Sequence, residues 1–227
     1  DPDESILVNR AVQGRYNLGS TFKPFTAYAA LNTGLITPED TYVDTGYYDI
    51  YSVNQDRCAR GLIRCTFKNA LCGTGAPCVY GEVDVEAALA VSSDAFFYKL
   101  GEDLLVQNEG EPVFQEEVEA FGFGADTGIE LPFEYDGTVP DQELKRLYAE
   151  LGVISEDEGR GFYVGDSIQM SIGQGLLSAT PLQLNQGYSV LANGGLVIQP
   201  TVISTVFEPG TPDGRPCLLY TSPSPRD

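Results

Sequence analysis

The chain has 227 residues, with 33 Asp and Glu against 13 Lys and Arg, a formal net charge of −20 and no histidine. That length fits one domain or a large piece of one, and 42% hydrophobic content is enough for a buried core. The charge excludes a nucleic-acid binder, which needs clustered Lys and Arg, and the lack of imidazole excludes His-based triads and His metal ligands. No run is long enough to span a membrane. The chain opens on Asp1-Pro2-Asp3 with no basic leader, which is expected of a piece of a longer chain.

Residues 1–15 read as a leading loop and a short polar stretch. Residues 20–32 predict a helix, with Phe22, Phe25, Ala29 and Leu31 on one side and Gly34 as its stop. Pro24 lacks an amide hydrogen and must fall in the irregular first turn. The aromatic and β-branched runs 47–53 and 62–67 predict a hairpin around residues 54–61. Asp84 caps a helix predicted to reach residue 91, and residues 95–105 predict a second, very apolar helix. Ser92-Ser93-Asp94 forms the joint between them. A short amphipathic helix is predicted over 113–121, then a turn-rich stretch over 122–140 with an extended piece at 128–133. Residues 141–152 return to helix, with Leu144, Leu147, Tyr148 and Leu151 on one face. Thr180-Pro181 opens a helix running over 182–192 and closed by Asn193-Gly194. Residues 197–207 are strand material.

Four of the five cysteines, Cys58, Cys65, Cys72 and Cys78, are spaced C-x6-C-x6-C-x5-C. The tight C-x2-C pairs of zinc sites are missing, so no metal is expected. The cluster reads as two disulfides in an oxidising compartment or as four reduced, partly buried thiols. Three connectivities are open, and the favoured one is local, Cys58 with Cys65 and Cys72 with Cys78. Residues 217–227 (CLLYTSPSPRD) change character. They read as a non-native tail resembling translated adapter sequence rather than a Pro/Ser linker, and Cys217 is given no role. Residues 1–216 are then one partial domain.

Without imidazole, the first nucleophile to test is a serine served by lysine. Ser20-Thr21-Phe22-Lys23 is S-x-x-K, and on a helix residues three apart share a face. The lysine can act as base only if burial or a helix N-terminus lowers its pKa. Thirteen serines and four lysines make about 0.2 such matches expected by chance, so the motif alone is weak. Taken alone, Ser20 reads as a helix cap and Lys23 as a solvated lysine; Ser92 and Asp94 read as an inter-helix turn. The acidic stretches 109–119 and 155–158 read as solvated faces. Gly173-Gln174-Gly175 has no P-loop lysine and is not expected to bind phosphate.

The surrounding residues carry more. Residues 9–31 (NRAVQGRYNLGSTFKPFTAYAAL) resemble the first motif region of monofunctional penicillin-binding proteins, the peptidoglycan transpeptidases, in which an N-R-A segment precedes a G-S-T-F-K-P helix. Residues 91–101 (VSSDAFFYKLG) resemble the second motif region, S-x-N, with Asp94 at the third position as in the elongation-type branch. Residues 122–140 and 165–195 resemble two further stretches of that family, in its order.

The resemblance implies an α+β fold of the β-lactamase/transpeptidase (DD-peptidase) type, mostly its helical part, with N-terminal strands missing. It implies a membrane-anchored cell-wall enzyme with an extracytoplasmic catalytic domain and no cofactor. Ser20 would attack the penultimate D-Ala carbonyl of a stem peptide. Lys23 would take its proton, Ser92 would relay a proton toward the leaving amine, and Asp94 would orient Lys23 and the incoming peptide. β-Lactams would acylate the same serine. Wall-elongation partners such as a polymerising glycosyltransferase would be expected. The family's third motif, K-[ST]-G, is absent, because the last lysine is Lys145. The 227 residues are therefore expected to be inactive alone, with the inner faces of the helices at Ser20 and Thr180 unpacked. The alternatives are a D,D-carboxypeptidase or serine β-lactamase, and a non-catalytic β-lactam sensor or wall-synthesis scaffold.

Overall fold

The computed structural model describes residues 8–73, 75–204, 206–207 and 216–217. Its helices are α1 (Arg10–Gln13), α2 (Lys23–Asn32), α3 (Gln55–Ala59), α4 (Val85–Val91), α5 (Asp94–Gln107), α6 (Val113–Glu119), α7 (Gln142–Glu150), α8 (Val164–Ser171) and α9 (Pro181–Asn193). A 3₁₀ turn, Gly19–Phe22, leads directly into α2. The strands are β1 (Tyr42–Asp44), β2 (Tyr47–Asp49), β3 (Thr66–Lys68), β4 (Gly81–Val83), β5 (Val206–Phe207) and β6 (Pro216–Cys217). They form three antiparallel pairs, β1–β4, β2–β3 and β5–β6.

The core follows from where the apolar residues fall on α2 and α5. Phe22, Phe25 and Ala29 pack with Leu104, Phe114, Val118, Phe121 and Phe123. Edge-on aromatic contacts bind this cluster, with ring centroids 5.4 Å apart for Phe22–Phe123 and 4.8 Å for Phe25–Phe123. Each such pair contributes about 0.5–1.5 kcal/mol beyond its area. On the other side of α2, Ala27 and Ala30 meet Val83, Ala88, Phe96, Phe97 and Leu100. A third cluster joins Ala95 and Tyr98 of α5 to Tyr48, Ile50, Phe67 and Ile168. Thus α5 contributes to all three clusters and sits at the centre of the molecule.

Helix starts match their sequence signals. The side chains of Asp84, Asp141 and Thr180 accept from the amides of Ala87 (2.8 Å), Leu144 (2.6 Å) and Gln183 (3.1 Å), each cap typically worth about 1 kcal/mol. Gln183 reciprocates through Oε1 to the Thr180 amide at 2.8 Å, closing a capping box. The predicted hairpin is present as β2–β3, in the register Tyr48↔Phe67, with α3 inside its connection. Both local disulfides form, Cys58–Cys65 and Cys72–Cys78.

Other elements differ from expectation. Residues 128–133 are irregular, with bends over 130–133 rather than an extended strand, and Phe133 has a φ of 61° that no strand accommodates. Of residues 197–207 only Val206–Phe207 is strand. The stretch before it is held by side chains instead: Thr201 Oγ1 donates to Glu130 at 2.6 Å, as does the Val202 amide at 3.2 Å. Leu196, Val197, Ile198, Val202 and Ile203 stay about half exposed. The α8 helix has no clear apolar period because two of its buried residues are serines. Ser167 Oγ donates to Gly101 O at 2.6 Å, and a Cβ on Gly101 would stand 2.8 Å from that serine's carbonyl oxygen. The α2 helix is packed on both sides, whereas α9 leaves Tyr188 and Leu191 more than a third exposed. The tail boundary expected at residue 217 falls in β6, and residues 1–7 and 218–227 lie outside the described residues.

Non-reducing peptide mapping of the exported protein is expected to recover the cross-linked pairs Cys58–Cys65 and Cys72–Cys78; a Cys65–Cys72 peptide would contradict the fold.

Candidate active site

The 3₁₀ turn places Ser20 at the surface and Lys23 inside. Lys23 is 1% exposed. Its turn is fixed by a second segment of chain: the Gly19 amide donates to Gly173 O at 2.9 Å, and Tyr188 Oη to Thr21 O at 2.8 Å. Asn17 Nδ2 bonds Leu177 O at 2.7 Å. Gly173 has a φ of 71°, and a Cβ there would lie 2.4 Å from Gly19 O and 2.8 Å from Phe22 Cβ. Only glycine allows this approach.

The α4–α5 joint meets the same place. Ser92 ends α4 in the left-handed conformation, φ 57° and ψ 46°, a strain of order 1–3 kcal/mol for a non-glycine residue. Both its carbonyl and its hydroxyl oxygen accept from Lys23 Nζ at 2.9 Å. Asp94 Oδ1, in the first turn of α5, takes the third ammonium proton at 2.6 Å. Ser92 Oγ lies 2.9 Å from Ser20 Oγ. The four residues singled out in the sequence, Ser20, Lys23, Ser92 and Asp94, therefore form one connected chain of side chains.

The contacts refine that expectation. Ser20 bonds Ser92, and Ser92 bonds Lys23, so the path between the Ser20 hydroxyl and the Lys23 amine runs through a second hydroxyl. With Lys23 charged, the chain runs from ammonium to Ser92 to Ser20. With the amine neutral it can reverse, Ser20 donating to Ser92 and Ser92 to Lys23. Burial pushes the Lys23 pKa below the ordinary 10.5, and the hydrogen bond and charge of Asp94 oppose that fall. The amine also lies 5.4 Å from the centre of the Phe97 ring, a contact that favours the charged form. Beside Asp94, burial and that carboxylate push Tyr98 up to about 12, with Arg64 acting the other way.

Sequence reasoning missed the residues behind the joint. Asp44 and Asn69 are at most 2% exposed and are hydrogen-bonded to each other, and Asp44 accepts from the buried Ser93 of the joint. The only sequence signal of Asp44 and Asn69 is polarity beside short β-rich segments, which also describes any turn.

The chain is similar to known proteins along most of its length. The family model for the penicillin binding protein transpeptidase domain matches residues 2–72 and 73–224. The peptidoglycan D,D-transpeptidase MrdA of Escherichia coli K12 is 31% identical over 210 residues, covering 92% of this chain and 28% of that protein. That of Haemophilus influenzae is 32% identical over 200 residues, 88% of this chain and 26% of its own length. The chain thus spans less than a third of these relatives. Among solved structures, Pseudomonas aeruginosa PBP2 in complex with WCK 5153 superposes with a TM-score of 0.72 at 31% identity, over 95% of this chain and 42% of that one. The complex of PBP2 with MreC from Helicobacter pylori gives 0.66 at 24% identity, over 87% and 32%, a likeness of fold.

Titrating the Lys23 amine by ¹⁵N NMR is expected to give a midpoint below 10.5, and Asp94→Asn is expected to lower it further by removing the groups that raise it. Between that midpoint and 10.5 the unfolded chain holds the extra proton, so this residue makes stability rise with pH across the window. A midpoint at or above 10.5 would contradict the site.

Proposed function

Since the chain belongs to the penicillin binding protein transpeptidase domain family, we propose that it carries the nucleophile and base of a peptidoglycan D,D-transpeptidase. The observation that carries this reading is the Ser20–Ser92–Lys23 hydrogen-bond chain with its lysine buried. Ser20 Oγ attacks the carbonyl of the penultimate D-Ala of a stem peptide. As the C–O bond forms, the Ser20 proton moves to Ser92 and the Ser92 proton to the neutral Lys23 amine. Collapse of the tetrahedral intermediate breaks the amide bond. The terminal D-Ala leaves as the amine after taking a proton back through Ser92. An amine of a second stem peptide then attacks the acyl ester, gives its proton along the same path and releases Ser20, leaving a cross-link. A β-lactam enters the first half of this sequence and stays attached.

Asp94 steadies the lysine in both protonation states, and desolvation of Lys23 favours the neutral amine that can accept the proton. The sequence has no lysine after Lys145 and so no K-[ST]-G. In this proposal the longer protein supplies that motif's carboxylate-binding pair and its oxyanion amide. Such an amide is worth about 10²–10³ in rate.

The two disulfides support an extracytoplasmic, oxidising location for this domain, in a membrane-attached protein. Among the described residues no helix is long and apolar enough to cross a bilayer. Wall-synthesis partners of the kind seen with the Helicobacter pylori PBP2, which is bound to MreC, fit the same reading.

In the full-length protein, fluorescent penicillin is expected to label Ser20 stably. Ser20→Ala should abolish labelling, and Lys23→Ala should slow it on the order of 10³-fold. Labelling that survives Ser20→Ala overturns the assignment. Rapid loss of label from Ser20 would move the reading to a β-lactamase. Gly173→Ala is expected to impair acylation and lower the melting temperature together, since its Cβ would push the nucleophile's turn out of place.

A further inference from the structure

Asp94 touches Lys23 through one carboxylate oxygen; the other is held from outside the motif. Asp94 Oδ2 accepts from the Ala70 amide at 3.2 Å. Ala70 follows Asn69, which stands at the exit of β3 and is 2% exposed. Asn69 Oδ1 accepts from the Ala95 amide at 2.7 Å, in the first turn of the helix that bears Asp94. Asn69 Nδ2 donates to both oxygens of Asp44, at 2.9 and 2.8 Å, and to Cys78 O at 2.9 Å.

Asp44 ends β1 and is 0% exposed. Its carboxylate takes the Gly46 amide at 2.7 Å, the Asn69 side chain and the Ser93 hydroxyl. Ser93 in turn caps α5 by accepting from the Phe96 amide at 3.1 Å. All of these donors are neutral. Burying a carboxylate among neutral donors costs more than an apolar residue in the same place, so the arrangement contributes geometry more than stability. What it fixes is specific. Asp44 and Asn69 come from two separate strand pairs, β1–β4 and β2–β3. Together they hold the residue before Asp94 by its hydroxyl, the residue after it by its amide, and Asp94 itself through Ala70.

We propose that Asp44 and Asn69 are positioning residues for acylation: they clamp the start of α5 so that Asp94 meets the Lys23 amine in one orientation. The proposal rests on Ser20 being the acylated residue. The charged and titratable groups around the assembly are Lys23 and Asp94, Tyr98 and Arg64 beside Asp94, and Tyr42, which feels Asp44 and Asp49.

The test is the pH–rate profile of Ser20 acylation by fluorescent penicillin in the full-length protein. Wild-type labelling that requires Ser20 establishes the reading beneath the proposal, and its absence overturns both. Asn69→Ala is expected to slow acylation about 10²-fold. It should also shift the rising limb of the profile to lower pH by on the order of one unit, because a loosened Asp94 stabilises charged Lys23 less. Asp44→Asn should move the limb the same way by a smaller amount, and it preserves shape if Asn69→Ala does not fold. Val118→Ala, a cavity in α6, is the control: it should lower the melting temperature and leave the limb in place. With Ser20 labelling intact, folded Asn69→Ala and Asp44→Asn proteins whose limbs coincide with wild type would overturn the proposal alone, whatever their stability.

Discussion

A lysine ammonium buried from water costs several kcal/mol unless its protons are taken. In this protein all three are taken by two residues of one tight joint, Ser92 and Asp94. Much of the fold can be read as the means of holding that joint against α2. The α5 helix carries Asp94 and contributes to all three apolar clusters, so the carboxylate is anchored to the most constrained element of the core. The α2 helix is packed on both sides by aromatic and alanine residues, leaving Lys23 a single direction in which to point. The opposition between burial and Asp94 keeps the amine deprotonatable without stripping it of partners.

Where chain chemistry is local, the sequence already carries the answer. Asp84, Thr180 and the Asn193-Gly194 pair mark helix ends through hydrogen bonds reaching no more than four residues along the chain, and each end lies where those residues predict. S-x-x-K is local in the same sense. Ser92 and Asp94 could be selected only through resemblance to a family, since Ser and Asp cap helices everywhere. Asp44 and Asn69 were illegible for a different reason. The contacts that tie them to each other and to the start of α5 reach 25 or more residues along the chain, and a single polar residue at a strand end has no period to betray it. The α8 helix hid because it is buried through serine hydroxyls bonded to backbone carbonyls. Residues 197–204 look like a strand by composition, but a strand also requires a neighbouring ladder, and Glu130 takes their polar groups instead.

The acidic excess divides by the same logic. Most carboxylates are solvated, while those of α5 are structural. Glu102, at 0% exposure, takes the Ser52 amide at 2.7 Å and the Tyr48 hydroxyl at 2.6 Å, tying the β2 exit to α5. Burial, together with that carboxylate, pushes the Tyr48 phenol far above its ordinary range, so it remains a donor at any pH the fold survives. Asp103, beside it, accepts from Tyr51 Oη at 2.7 Å. Along one helix, then, acidic residues at its start and two turns further on anchor two separate segments: Asp94 holds the lysine, and Glu102 and Asp103 hold the approach to the disulfide-bearing loop.

The left-handed backbone of Ser92 narrows what evolution can place there. Glycine would relieve the conformation and remove the hydroxyl that joins Ser20 to Lys23. Alanine would keep the strain and lose the hydroxyl as well. Threonine would keep the oxygen, but a β-branched residue at φ 57° is a severe outlier. Asparagine tolerates the backbone, yet its amide cannot both accept and hand on a proton in the way a hydroxyl does. Under the proposed acylation of Ser20, variation that evades a covalent inhibitor while preserving turnover has almost no room at this position and must arise in the walls around it.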